Sequence, residues 1–223
     1  KKKFRKCMNN LQKRILTSLV ALPLAIFFVV KGGDFLSFFL LFIFFAGLHE
    51  IFTVFKRVKT KLFLLLVLIL SIFSIYYLAN DSVSSLFLLY FVIGISVSSD
   101  VGGYVFGKIF KWKKLSKISP KKTISGVFGS YFCSFICVIA FNELSGSSAH
   151  GLLVSDLTII PEVLLTIIFS TVAQAGDLVI SYFKRLEKIK DTGKILPGHG
   201  GIFDRIDGLM FVAILAFVLV LFS

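Results

Sequence analysis

The chain has few cysteines and a shortage of acidic residues. Its 223 residues include 3 Cys, and 12 Asp or Glu stand against 25 Lys or Arg, for a formal net charge of +13. Cys133 and Cys137 lie four apart in an apolar run and are interpreted as small packing residues, whereas Cys7 lies in a basic arm. The sequence therefore predicts neither a disulfide framework nor a cysteine-based metal site.

Metal and nucleotide motifs of several kinds are also missing. His49, His150 and His199 are scattered along the sequence with no cysteine near them, which argues against zinc. No Gly-x4-Gly-Lys-Ser/Thr spacing occurs, so the chain lacks a Walker A loop. We also find no internal repeat and no low-complexity tract. If the chain holds a metal ion, its ligands are therefore predicted to be oxygen atoms.

Apolar sequence is what the chain has in abundance. Hydrophobic residues make up 57% of it, Phe alone numbers 27, and the mean hydropathy is +0.92. A soluble domain of this size cannot bury so much apolar surface, so the solvent must be lipid. Because lipid offers backbone groups no partner, each spanning segment must be helical. The predicted fold class is an all-α, polytopic helical bundle, a single integral membrane domain over residues 1–223.

Seven apolar segments are long enough to cross about 30 Å of hydrocarbon. They are 14–31, 35–55, 61–79, 84–106, 124–144, 158–183 and 207–222. The first follows a basic arm, as in a signal peptide, but no small-x-small cleavage pattern follows it, so we interpret it as a spanning helix. Within the domain, residues 1–95 are predicted to be N-terminal membrane helices, 96–208 to carry the chemistry, and 207–222 to be the last span.

The basic residues predict the orientation of these spans. Every Lys and Arg except Lys31 falls in the N-terminal arm or in the loops 56–61, 107–123 and 184–206. Because the chain changes sides at each span, the arm and these three loops lie on the same side of the membrane. The loop 142–162 on the other side carries acids and no Lys or Arg. By the positive-inside rule, the N-terminus is predicted to be cytoplasmic and the C-terminus to lie on the opposite side. The positive charge is interpreted as this signal plus attraction to anionic lipid, with no nucleic-acid partner.

Four aspartates fall on the predicted cytoplasmic side. Asp100 and Asp177 lie near the ends of apolar helices, and a carboxylate costs roughly 2.5–3.5 kcal/mol at mid-membrane, so each needs a partner. Asp204 and Asp207 are three apart, which places them on one side of a helix that begins there. Carboxylates beside so many basic residues predict a divalent-metal and polyphosphate site. Oxygen ligands suit Mg²⁺, which keeps waters and shares substrate phosphates.

Two loops carry groups suited to phosphate. Residues 118–126, Ile-Ser-Pro-Lys-Lys-Thr-Ile-Ser-Gly, offer lysines and hydroxyls just before a predicted helix N-terminus. Residues 197–201, Pro-Gly-His-Gly-Gly, let backbone N–H groups approach an anion closely. A flexible linker between helices is the alternative interpretation of each loop. Gly102, Gly103 and Gly107 form a small-residue pattern that indicates close helix packing, with substrate access as the alternative.

A longer pattern resembles that of a known family. The segment 181–207 is similar to the signature of CDP-diacylglycerol synthases (phosphatidate cytidylyltransferases): Ser181-x-x-Lys184-Arg185-x4-Lys190-Asp191-x-Gly193-x3-Pro197-Gly-His-Gly-Gly201-x-x-Asp204-Arg205-x-Asp207. Three upstream pieces also resemble that family: Gln174-Ala-Gly-Asp-Leu178, Ser119-Pro-Lys-Lys-Thr123 and Asp100-x-Gly-Gly-Tyr104-x-x-Gly107. The resemblance covers roughly residues 100–208. The chain departs from the family pattern at Ile124-Ser125, at Ile180, where Glu is usual, and at Gly208, where Ser is common.

The resemblance implies transfer of CMP from CTP to phosphatidic acid, which forms CDP-diacylglycerol and releases pyrophosphate. It implies Mg²⁺ held between Asp177 and Asp204, with a monovalent cation such as K⁺ as a further candidate cofactor. The catalytic candidates are Asp177, Asp204, Lys184, Arg185 and Asp207. The candidates for binding substrate and its phosphates are Ser119, Lys121, Lys122, Thr123, Lys190, His199, Gly200, Arg205 and Asp100.

The implied partners are CTP, phosphatidic acid and the lipid bilayer, and the resemblance also suggests a homodimer. The expected location is a bacterial-type plasma membrane, with the active site facing the cytoplasm. Two other functions stay open from the residues alone. A CTP-dependent lipid-alcohol kinase would transfer the γ-phosphoryl group and release CDP. A non-catalytic or transport protein would need polar residues in both halves of the membrane, and the outer half of each predicted span is almost wholly apolar.

Overall fold

The protein is almost entirely helical. A computed structural model describes residues 10–116, 119, 122–145, 162–193, 195 and 200–222. The helices in that part of the chain are α1 (Asn10–Lys31), α2 (Gly33–Val54), α3 (Val58–Asn80), α4 (Val83–Phe110), α5 (Ile124–Ser145), α6 (Glu162–Leu186) and α7 (Phe203–Leu221). An isolated antiparallel bridge joins Lys114 and Thr123, and the described residues contain no named strand. The all-α prediction is confirmed.

Five of these helices, α2 to α6, are long and apolar enough to cross a membrane. At a rise of about 1.5 Å per residue, a helix of the length of α2 reaches about 33 Å. The seven helices of the described residues correspond to the seven predicted spans. Two of them are not among the five: the apolar part of α1 within the described residues is Leu19–Lys31, and α7 carries Asp204, Arg205 and Asp207 in its first two turns. The polytopic helical membrane architecture is confirmed.

Two predicted helix limits also differ from the structure. The last helix begins at Phe203, four residues before the predicted span, so both aspartates of its first turns are helical. The sixth predicted span ended at 183, whereas α6 continues to Leu186 and includes Lys184 and Arg185. Residues 158–161 of that span lie outside the described residues. Helical geometry therefore extends into the charged motif at both of its ends.

Apolar side chains cover the outer faces of the bundle. Phe38 is 70% exposed, Phe45 is 64% exposed, and many other large apolar residues on α1 to α6 are similarly open. Contiguous apolar surface of this kind is unfavourable in water and is covered by acyl chains in a bilayer.

Helix α7 lies at the centre of the bundle. It packs against α3, α4 and α6 and contributes to both buried apolar clusters. In one cluster Val212 meets Phe169 of α6 and Val92 of α4. In the other, Phe203 and Met210 pack with residues of α2, α3 and α6. This packing holds the N-terminus of α7, with its aspartates, between the other helices.

Helices α4 and α5 are in close contact, and glycines make that contact possible. A Cβ atom added at Gly102 would collide with the backbone of Gly129, and one at Gly103 would lie 2.9 Å from the Ser130 hydroxyl. The interpretation of the glycine pattern as close helix packing is confirmed. The contact brings Asp100 on α4 to the same region as the N-terminal end of α5.

Candidate active site

A cavity of about 460 Å³ is lined by α4, α5, α6, α7 and the segments that join them. Residues from four separate stretches of sequence line it, as the signature pieces predict. The predicted residues in its wall are Asp100, Ser119, Lys122, Thr123, Asp177, Lys184, Asp204, Arg205 and Asp207. Its volume is ordinary for a small-molecule site. The tertiary structure thus brings most of the predicted site residues together.

One carboxylate–ammonium pair joins the loop before α5 to α6. The Lys122 Nζ lies 2.6 Å from the Asp177 Oδ2 and donates to the Gln174 carbonyl oxygen at 3.0 Å. A backbone hydrogen bond closes this loop, because the Leu115 N–H donates to the Lys122 carbonyl oxygen at 2.8 Å. The Ser181 hydroxyl donates to the Asp177 Oδ1 at 3.3 Å. The loop therefore presents its lysine directly to a carboxylate inside the cavity.

A second pair joins the end of α6 to the start of α7. The Lys184 Nζ donates to the Asp204 Oδ1 at 2.7 Å, and both side chains are nearly buried, at 10% and 8% exposure. The Asp204 Oδ2 accepts the N–H groups of Thr192 at 2.8 Å and Gly201 at 3.0 Å. Burial opposes ionisation, but Lys184 and these two N–H groups outweigh it and hold the pKa of Asp204 below its ordinary value. Asp204 is therefore a carboxylate at neutral pH.

Further carboxyl groups line the same cavity. Asp207 lines the cavity together with Asp177, and its Oδ1 accepts the Gly208 N–H at 2.9 Å. Asp100 faces the cavity from α4. Like-charged carboxylates placed this close need a proton, a basic side chain or a cation between them. Among the described residues, no group of three or more His, Cys, Asp or Glu side chains is arranged so that it could hold a metal ion by itself. An oxygen-only donor set that is completed by water and phosphate fits Mg²⁺.

The hydroxyl candidates of the loop before α5 differ in their surroundings. The Thr123 Oγ1 accepts the Gly126 N–H at 3.1 Å, so this side chain caps the N-terminus of α5. It also lies 3.0 Å from the Ser125 hydroxyl. Ser119 lines the cavity, and its carbonyl oxygen accepts the Lys122 N–H at 3.0 Å. Thr123 thus orders the loop as well as lining the cavity.

Three predicted site residues that the structure describes are not in the cavity wall. Arg185 donates to the Ile189 carbonyl oxygen at 2.9 Å and is absent from the cavity wall. Lys190 lines a separate cavity of about 490 Å³ together with His49. Gly200, with φ of +90°, packs against Asp204, where a Cβ would lie 2.8 Å from Oδ2. The candidates Lys121 and His199 are outside the described residues.

Sequence reasoning missed two acidic residues that belong to this region. Asp191 lines the cavity, although it was read only as part of the signature. Glu50 on α2 is 1% exposed and bonds to the segment before α7. An acidic residue within a long apolar run was the signal that could have found it. The positions that depart from the family pattern are partly explained: Ile180 lies in an apolar cluster, and a Cβ at Gly208 would come within 3.0 Å of the Ala173 carbonyl oxygen.

The long apolar helices and the cavity lined by paired aspartates and lysines define a polytopic membrane protein with a charged cavity. The model of the Cytidylyltransferase family matches residues 59–223. The chain therefore belongs to the cytidylyltransferase family, and the resemblance seen in the sequence is confirmed at that level.

Curated relatives bear a more specific name. A phosphatidate cytidylyltransferase of Staphylococcus aureus strain COL is 44% identical over 128 residues, which are 56% of this chain and 45% of that protein. Proteins of the same name from Staphylococcus epidermidis and Staphylococcus haemolyticus are 43% and 44% identical over 115 residues, 51% of this chain and 41% of each relative. The matched part of the chain thus spans less than half the length of these relatives.

Proposed function

We propose that this protein transfers CMP from CTP to phosphatidic acid and thereby forms CDP-diacylglycerol and pyrophosphate. The observation that carries the proposal is the cavity, in which the signature aspartates, Lys122, Lys184 and Arg205 line one wall. The family match and the name of the staphylococcal relatives support the same reaction.

The proposed reaction makes modest demands on acid–base chemistry. An oxygen of the phosphatidate phosphate attacks the α-phosphorus of CTP, a new P–O bond forms, and the bond to the β-phosphate breaks. The nucleophile is already anionic, so no proton must be removed from it. The protein must instead hold two polyanions in line and offset their repulsion. Lys122, Lys184 and Arg205 supply positive charge for this purpose. Each lysine can give up its contact with an aspartate and bind a phosphate oxygen instead.

We also propose that Asp177 and Asp204 hold Mg²⁺, with Asp207 beside them. The donor set supports this, because these carboxylates, from two helices, line one cavity. When bound, Mg²⁺ would neutralise charge on the triphosphate. Assistance by a monovalent cation such as K⁺ stays a prediction of the resemblance.

The proposed setting is a bacterial-type plasma membrane with the cavity open to the cytoplasm. Support comes from the basic loops, since the segments around Lys122 and Lys184 lie on the side to which the positive-inside rule assigns the cytoplasm. CTP is a cytosolic solute, whereas phosphatidic acid lies in the leaflet, so a site at the helix ends meets both. The homodimer suggested by the resemblance is a further prediction, which cross-linking in the membrane tests.

A labelling assay tests the proposed reaction. Purified protein in liposomes that contain phosphatidic acid receives Mg²⁺ and CTP labelled at the α-phosphate, and label in the lipid and pyrophosphate release are measured. We expect both products, and we expect Asp204→Asn to abolish them. Parallel CTP labelled at the γ-phosphate tests the lipid-alcohol kinase. Transfer of γ-label without α-label would refute the cytidylyltransferase proposal, as would absence of both from folded protein.

A further inference from the structure

Glu50 is a carboxylic acid buried in the apolar helix α2, where it is 1% exposed. Its Oε1 accepts the backbone N–H of Ile202 at 2.7 Å, and its Oε2 accepts that of Phe203 at 3.1 Å. The Thr192 hydroxyl donates to the same Oε2 at 3.0 Å. Because α7 begins at Phe203, the side chain caps that helix from another part of the chain.

Two glycines of the signature leave room for this carboxylate. A Cβ at Gly201 would collide with the Thr192 hydroxyl oxygen and would lie 2.5 Å from the Glu50 Oε2 and 2.6 Å from its Oε1. A Cβ at Gly193 would lie 2.8 Å from the Oε1. Neither glycine has a positive φ, so backbone conformation does not explain them. A side chain at either position would displace the Glu50 carboxylate, and one at Gly201 would also displace the Thr192 hydroxyl.

The segment that Glu50 holds is the same one that holds Asp204. Thr192 bonds to Glu50 through its hydroxyl and to Asp204 through its N–H. Gly201 packs against Glu50 and donates its N–H to the Asp204 Oδ2. Two residues thus lie between a buried carboxylate and one in the cavity wall. With Oδ2 held in this way, Oδ1 of Asp204 points at Lys184.

We propose that Glu50 is a positioning residue for Asp204. It lines the second cavity, beside Lys190, and not the cavity that holds Asp204. It acts by fixing Thr192 and Gly201, on which the orientation of the Asp204 carboxylate depends. Glu50 lies outside residues 59–223, the part matched by the family model. The helix α2 therefore contributes to the site although it supplies no residue to the cavity wall. This inference rests on the proposed function, because it assigns a role in binding the divalent cation.

The substitution Glu50→Gln isolates this role. All three partners of the Glu50 carboxylate are donors, so the nitrogen of a carboxamide would face at least one of them donor to donor. The size of the side chain is unchanged. Thr192→Val removes one link, and Thr192→Ser keeps the hydroxyl. Glu162→Gln makes the same chemical change at the start of α6, away from the cavity wall.

The test measures binding of Mn²⁺, alone, to the purified full chain by electron paramagnetic resonance, together with the melting temperature and the transfer of α-label at varied Mg²⁺. We expect Glu50→Gln and Thr192→Val to weaken Mn²⁺ binding about tenfold, the size usual for residues that orient a metal ligand. Thr192→Ser and Glu162→Gln should bind like wild type. If Glu50→Gln does not fold, the comparison of Val with Ser at position 192 decides.

Wild-type affinity for Mn²⁺ in both Glu50→Gln and Thr192→Val would overturn the inference, even with a lower melting temperature, because a purely structural role predicts that result. Failure of the proposed function gives a different result: wild type would then transfer no α-label, whatever the affinities of the variants. A rise in the Mg²⁺ concentration for half-maximal transfer, in step with the weaker Mn²⁺ binding, would support both.

Discussion

The buried pair of Lys184 and Asp204 predicts a large and non-additive effect on stability. Its atoms are 2.7 Å apart and its side chains are 10% and 8% exposed. Removing one partner leaves the other charge buried, which typically costs about 3–5 kcal/mol. We therefore expect Lys184→Met and Asp204→Asn each to lower the free energy of unfolding by that amount. The double variant should lose less than the sum, because it leaves no unpaired charge.

The pair of Lys122 and Asp177 serves as the matched control. Its distance is similar, 2.6 Å, but its side chains are 23% and 27% exposed. Water solvates a charge left alone there, so we expect Lys122→Met to cost about 1 kcal/mol, near the upper end for exposed pairs. Raising the salt from about 0.1 M to about 1 M should reduce this smaller effect and leave the effect at Lys184 nearly unchanged.

Unfolding in mixed micelles, followed by circular dichroism as denaturant is added, measures these differences. The reasoning would be refuted if both single variants at the buried pair lost less than about 1 kcal/mol, or if their effects simply added. Either result would mean that water reaches Asp204 and Lys184 freely.

Three further outcomes follow from the site and the helix contacts. Gly129→Ala should destabilise the protein by about 1–3 kcal/mol, because its Cβ would lie 2.5 Å from the Phe106 Cγ. Gly94→Ala, also between α4 and α5, should cost less, since its nearest contact is the Cys137 sulfur at 3.1 Å. Thermal unfolding compares them, and equal losses would contradict the closer approach of the two helices at Gly129. Arg185→Ala should keep label transfer within about two- to threefold of wild type, whereas Lys184→Ala should lose about 100-fold. The reason is that, of these two residues, only Lys184 lines the cavity. A comparable loss for both would place the Arg185 guanidinium on the substrate. EDTA should stop label transfer and added Mg²⁺ should restore it, and transfer that persists in EDTA would exclude the proposed metal.

The site could be predicted from the sequence because it contains charged residues at the ends of apolar helices. Asp100 and Asp177 are charges at the ends of apolar helices, and Asp204 and Asp207 share a helical spacing, so their convergence could be predicted. The predicted helix limits are wrong where charged residues belong to the helix. The predicted last span begins at 207, yet α7 begins at 203, where Glu50 accepts the Phe203 N–H and Phe203 packs in a buried apolar cluster.

The sequence by itself determined the solvent and the chemistry of this protein. Its apolar runs require lipid, and its carboxylates, lysines and glycines name the family, because each depends on residue type and local spacing alone. Which residues meet across the bundle was decided only by tertiary structure. Arg185 and Lys184 are neighbours in sequence, but only Lys184 enters the cavity, since the direction of a side chain depends on the helix packed against it. Glu50 lies 154 positions before Asp204 in the numbering and is joined to it through Thr192 and Gly201, because its side chain reaches the start of α7, which no local pattern reveals.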